Sequence, residues 1–188
     1  MQLSEHKDLK LEIKSLPEKE KDKLLLRLIA KDKVLTEHLH YKLLENEDDL
    51  RDRYESLRFA IDEQVSELLK SRKLTAKDVL LKMRRMNGAI SHHYKVTRDI
   101  LTELDLRIHL INRIPIAFDD SVFSTAYRFN EKLFIYVVKS TVSLLTKYNK
   151  LHEDLQFDLK EELNSALNKL YSNLTANIAK ELDLPKEM

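Results

Sequence analysis

One glycine, Gly88, serves a chain of 188 residues that holds only three prolines. Hairpins, sandwiches and βαβ units need glycine where φ turns positive, whereas a helix is weakened by it. The scarcity therefore excludes sheet-based folds and predicts an all-α protein. It also excludes glycine-rich phosphate cradles, Rossmann fingerprints and kinase loops. With no cysteine, the chain has no disulfide, no thiolate nucleophile and no sulfur-ligated metal, which fits a reducing cytoplasm. The longest unbroken apolar run is LFIYVV at 133–138, far short of the ~20 residues that span a bilayer. The opening stretch MQLSEHKDLKLEIKSL is charged throughout and predicts no signal peptide. These absences predict a cytoplasmic protein with no membrane partner.

What is present is hydrophobic residues at 43% and charged residues at 35%. The first supply a core, and the length suits a single all-helical domain over 1–188. The second exceed the usual quarter and leave a surface dense in both signs. A net charge of +1 conceals a segregation. Residues 70–98 carry nine cations and one anion, Asp78, a net +8, so the rest of the chain sums to −7. The acidic share concentrates at ENEDD (45–49) and EDLQFDLKEE (153–162).

Apolar residues recur at spacings of three and four along most of the chain, the mark of amphipathic helices. Ser4 suits the cap of a short helix ending near Lys14, and Pro17 the first turn of the next, where its missing N–H costs nothing. Asp32 is placed to cap a helix reaching Glu45. Asn46 does the same for one whose stripe runs Leu50, Tyr54, Leu57, Ile61, Val65 and Leu68. Thr75 with Asp78 three residues on resembles a capping box, using aspartate for glutamate. The helix it opens keeps an apolar line through Val79, Met83, Met86, Ile90 and Tyr94. A further helix spans Arg98–Arg113 and stops before Pro115. After the loop IPIAFDD, Asp119 or Asp120 is expected to cap a long helix to Tyr148, with LFIYVV inside it and buried on most sides. The leucine stripe from Leu151 to Ile178 predicts one helix of about seven turns, or two with a bend near 172–173. The sum is about seven mostly antiparallel helices in a bundle or short α-solenoid-like packing.

The segments SLPEKEKDKLLLRLIAKDKVLTEHLHYKLLE (15–45) and, more loosely, KLHEDLQFDLKEEL (150–163) resemble those of a small family of uncharacterised bacterial helical proteins. The resemblance implies a helical fold and no catalytic activity.

Candidate sites are few. His38 and His40 lie two apart and His92 and His93 one apart, so neither pair shares a helix face. Glu37 and His40 form a single Glu-x-x-His where a di-iron bundle needs two. No metal, cofactor or catalytic residue is predicted. FSTAYRFNEKLFIY (123–136) reads as core, and as a partner groove only where it is exposed.

One region remains. On a helical projection Lys77, Arg84, Gly88, Ser91 and Lys95 share a flank roughly 80–140° from the core line. Lys73, Lys77, Arg84, Arg85, Gly88 and Lys95 are the candidate anion- or partner-binding residues. Gly88 has three readings: a left-handed helix end, close approach of a neighbouring helix, or open backbone for an anionic ligand between cations. The sequence favours close approach. For the basic strip it favours a solvated helix flank, or one paired internally with the acidic 153–162 face. The function these features support is a non-enzymatic interaction module that binds a protein partner or itself. The alternative is a nucleic-acid-binding protein using the basic 70–98 segment.

Overall fold

A computed structural model describes residues 3–118 and 127–188. Among these residues the only regular structure is helical. A 3-10 turn at Leu3–Glu5 is followed by α1 (Lys7–Ser15), α2 (Glu18–Ile29) and α3 (Lys33–Leu44). Then come α4 (Glu47–Lys70), α5 (Ala76–Thr97), α6 (Ile100–Arg113), α7 (Tyr127–Tyr148), α8 (Glu153–Tyr171) and α9 (Ala176–Glu181). The seven helices expected are thus close to the nine found among the described residues. Packing groups the chain into two units, Met1–Glu45 and Asn46–Met188.

Local chemistry sets most boundaries. Asp32 caps α3 by accepting from the Leu35 N–H at 3.0 Å. Asn46 Oδ1 accepts from the N–H groups of Asp48 and Asp49, and Asp49 Oδ2 accepts from the Asn46 N–H at 2.9 Å. This reciprocal pair is a capping box. At α5 the box expected of Thr75 and Asp78 is only half made. Thr75 Oγ1 accepts from the Asp78 N–H at 3.2 Å, but the Asp78 carboxylate accepts from the threonine hydroxyl itself at 2.5 Å. Three boundaries differ from expectation. Ser4 belongs to the 3-10 turn, and His6 precedes α1 without a side-chain cap. Pro17 sits at the N-cap of α2, one position before its first turn. Arg98 takes a left-handed φ of 60°, so α5 ends there and Asp99 caps α6. Of the two readings of the leucine stripe, the structure shows the second: it breaks at 172–175, giving α8 and α9. Asp119 and Asp120 lie outside the described residues.

In the unit Asn46–Met188, α6 packs against α4, α5, α7 and α8. That explains why Leu104, Leu106, Ile108, Leu110 and Ile111 are buried almost all round its axis. Burying each such side chain contributes about 1.5–3 kcal/mol. From α5 come Val79, Met83 and Ile90, from α4 Ile61 and Val65, from α7 Leu133, Val137 and Val138, and from α8 Leu163 and Leu167. Cross-helix contacts fix directions. Lys82 of α5 meets Gln64 and Glu67 of α4, while Met86 and Ala89 share a groove with Leu57. As α5 advances α4 recedes, so the two are antiparallel. Arg107 of α6 meets Asn87 and Ser91 of α5, whereas Thr102 meets His93, so these also run antiparallel. Lys77, Arg84 and Tyr94 of α5 face Phe129, Tyr136 and Lys147 of α7 in the same order. Hence α5 and α7 are parallel, with α6 returning between them.

The unit Met1–Glu45 is built differently. None of the described residues of α1, α2 or α3 is buried, and α2 packs against α3. Leu24, Leu25, Leu26 and Leu28 of α2, with Leu43 and Leu44 of α3, are exposed.

Candidate functional site

A cleft of about 600 Å³ lies between α5 and α7, within the range of small-ligand pockets. Its α5 wall is Arg84, Asn87, Gly88 and Ser91, a stripe at i, i+3, i+4 and i+7. Its α7 wall follows the same period: Lys132, Ile135 and Tyr136, then Lys139, Ser140 and Ser143, then Leu144 and Lys147. Arg107 reaches it from α6.

A hydrogen-bonded network ties these walls together. Glu103 on α6 is 1% exposed, and an unpaired carboxylate at such depth costs several kcal/mol. It accepts from Lys147 Nζ at 2.6 and 2.7 Å and from Arg107 Nε and Nη2 at 3.0 and 2.8 Å. Arg107 also donates to Asn87 Oδ1 at 2.8 Å and Ser91 Oγ at 2.9 Å. Asn87 Nδ2 in turn donates to the Tyr136 hydroxyl at 3.3 Å. The Arg84 guanidinium lies 5.3 Å from the centre of the Tyr136 ring, and Lys147 Nζ lies 4.8 Å from that of Tyr94. At both positions the ring's electron-rich face positions a cation.

Charge is distributed unevenly along the cleft. Arg107 and Lys147 are balanced in part by Glu103. At the other end Arg84, Lys132 and Lys139 have no carboxylate partner among the described residues. The described lining holds cations, hydroxyls, an amide and aliphatic surface, with no carboxylate or imidazole to take a proton. What it can do is recognise and orient negative charge.

Of the residues singled out from sequence, Arg84 and Gly88 line this cleft. Arg85 points the other way, into a groove with Leu57, Gln64 and Ala89 at the α4 side. Lys77 Nζ sits 5.6 Å from the Phe129 ring centre. Lys73 is exposed in the turn before α5 and Lys95 is exposed near the end of that helix. Gly88 corrects two expectations: it lies inside α5 without a positive φ, and a Cβ built on it meets nothing within 4 Å. It is neither a helix end nor a point of close helix approach. Of the two readings of the strip, the structure shows the solvated flank rather than pairing with the acidic face: α8 packs on α6 and α9, and its Glu162 lies 3.9 Å from Arg58 of α4. Of the nine cations in 70–98, only Lys82 has a carboxylate partner among the described residues, Glu67 at 3.2 Å.

Lys132, Lys139, Lys147 and Arg107 escaped sequence reading. The three lysines are interleaved with the apolar run that makes α7 look like a core helix. Their spacing of seven and eight, opposite Leu133 and Val137, was the available signal. Phe134 is buried and Tyr136 half-buried, while 123–126 of the aromatic stretch lie outside the described residues.

Two other polar clusters serve the core. Tyr54 donates to Asp105, which also accepts from Arg58 at 2.9 Å. Burial first, then the Asp105 hydrogen bond, push the tyrosine up to about 12. His93 is buried against the Thr102 hydroxyl at 3.0 Å, and burial lowers its imidazole below the usual range. No described helix is long and apolar enough to cross a membrane. Comparisons with protein-family models, curated proteins and solved structures return no match.

Proposed function

We propose that this chain is a non-enzymatic helical interaction module that captures an anionic ligand in the α5–α7 cleft. One observation carries the reading: Arg84, Lys132 and Lys139 converge on the cleft without a carboxylate among the described residues, and Arg84 is already held on Tyr136. A cation fixed before binding loses less side-chain freedom when the ligand arrives. The test is titration at 50 mM salt with pyrophosphate, a polyglutamate peptide, and single-stranded and duplex 20-mer DNA. At least one should bind the wild type, fail to bind Arg84→Glu and Lys139→Glu, and still bind Lys95→Glu. Absence of binding by every anion at low salt defeats the proposal.

The same titration covers nucleic acid bound along 70–98. Six phosphate contacts would weaken binding by about 10³ between 50 and 200 mM salt, and Lys73, Lys77 and Lys95 would then matter as much as Arg84. A second reading, contact with a protein partner through residues 1–45, is favoured by the exposed leucines of α2 and α3. Exposed apolar surface of that extent is unusual unless something covers it.

A further inference from the structure

The distribution of charge along the cleft says more than its sign. A uniformly charged polymer, whether an acidic peptide or a nucleic-acid strand, asks for cations along the whole length of its track. This cleft does not offer that. One end holds Arg84 on the Tyr136 ring, with Lys139 and with Lys132, whose Nζ lies 5.5 Å from the Phe129 ring centre; Lys132, Tyr136 and Lys139 follow at i, i+4 and i+7 on one face of α7. At the other end Arg107 and Lys147 are engaged by the buried Glu103, and the remaining groups are the Ser91, Ser140 and Ser143 hydroxyls and Leu144. Beside Arg84 the floor is open, since the next turn of α5 presents Gly88 with no side chain.

Such a cleft fits a molecule with a dense negative head and an uncharged polar body. We infer that the ligand is a small soluble ester of diphosphate, its phosphates held by Arg84, Lys132 and Lys139 and its body lying toward Ser140, Ser143 and Leu144. This rests on the binding role proposed above. Three cations match the charge of a diphosphate better than a carboxylate, because a single phosphomonoester already carries about −1.5 to −2. The arginine supplies a planar fork for two phosphate oxygens and the lysines act as point charges. A base-stacking strand site is disfavoured because Tyr136 is the one aromatic residue among the described lining residues, and Arg84 already lies on its ring.

Calorimetric titration at low salt tests this with pyrophosphate, a nucleoside 5′-diphosphate, a hexaglutamate peptide, the two 20-mer DNAs, and vesicles carrying a phosphomonoester headgroup. The nucleoside diphosphate and pyrophosphate should bind best. Arg84→Gln and Lys139→Gln should each weaken both by at least about tenfold, as loss of one charge-assisted hydrogen bond implies. Lys95→Gln should leave both unchanged. Ser143→Phe, at an exposed position on α7, should weaken the nucleoside diphosphate while sparing pyrophosphate. Helical circular dichroism of each variant confirms that it folds. Tighter binding by peptide, DNA or vesicles, lost in Arg84→Gln, overturns the ligand class and leaves the binding role standing. Diphosphate binding indifferent to both Arg84→Gln and Lys139→Gln overturns the site. No binding by any anion overturns both proposals.

Discussion

Gly88 is exposed in the middle of a 22-residue helix, where glycine costs about 1 kcal/mol relative to alanine. Nothing lies within 4 Å of an added Cβ, so packing does not demand it. Gly88→Ala is expected to stabilise the protein by about 1 kcal/mol in urea denaturation. A loss of stability would mean that the backbone there is not the ordinary helix described. Arg84 shows what residue-scale reasoning can and cannot see. Its place on the flank of α5 follows from helical geometry within one segment. Its platform, Tyr136, and the other cations of the cleft do not, because they arrive from a helix far along the chain. Glu103 is the sharper case: on sequence it is one acidic residue among many, and its pairing with Lys147 as well as with Arg107 one turn along α6 depends on α6 and α7 meeting.

At the scale of elements, caps encoded within four residues were readable at Asp32, Asn46 and Thr75, and so were the apolar stripes of α4 and α5. The end of α6 at Arg113 was readable from Pro115, but the means by which its last carbonyls are satisfied was not. Its last carbonyls lack partners within the helix, and Lys169 of α8 reaches across to donate to the carbonyls of Ile111, Asn112 and Ile114 at 2.9, 2.8 and 2.5 Å. Burial, with a further contribution from Arg113, lowers this amine to about 8, the cost of using a lysine to close a helix against the core. Lys169→Met keeps the aliphatic stem and removes the donors. It should destabilise by about 1–3 kcal/mol in thermal or urea melts, the cost of leaving such groups unpaired. An unchanged melt would show that these carbonyls find other partners. The division of the last leucine stripe into α8 and α9 belongs to this scale too, and the Ser172–Asn173 region was legible as a bend because polar residues interrupt the stripe there.

In the whole molecule, the fold class followed from composition, since one glycine and strict spacing by threes and fours admit little besides helices. The described hydrophobic core lies entirely in Asn46–Met188. Leu25 and Leu28 of α2 are 56% and 53% exposed, so Leu25→Glu with Leu28→Glu should change stability by no more than about 0.5 kcal/mol. A loss above about 2 kcal/mol in the isolated protein would show these leucines to be covered. The amino-acid sequence by itself determined which segments are helical, where α3, α4 and α5 start and which faces are apolar. Those properties are settled by backbone hydrogen bonds and side chains within a turn or two of each other. Only the tertiary structure decided which cations share a cleft and which are neutralised. Asn87 and Tyr136 stand 49 residues apart, and electrostatic interaction depends on distance in space, which the return of α6 between α5 and α7 creates.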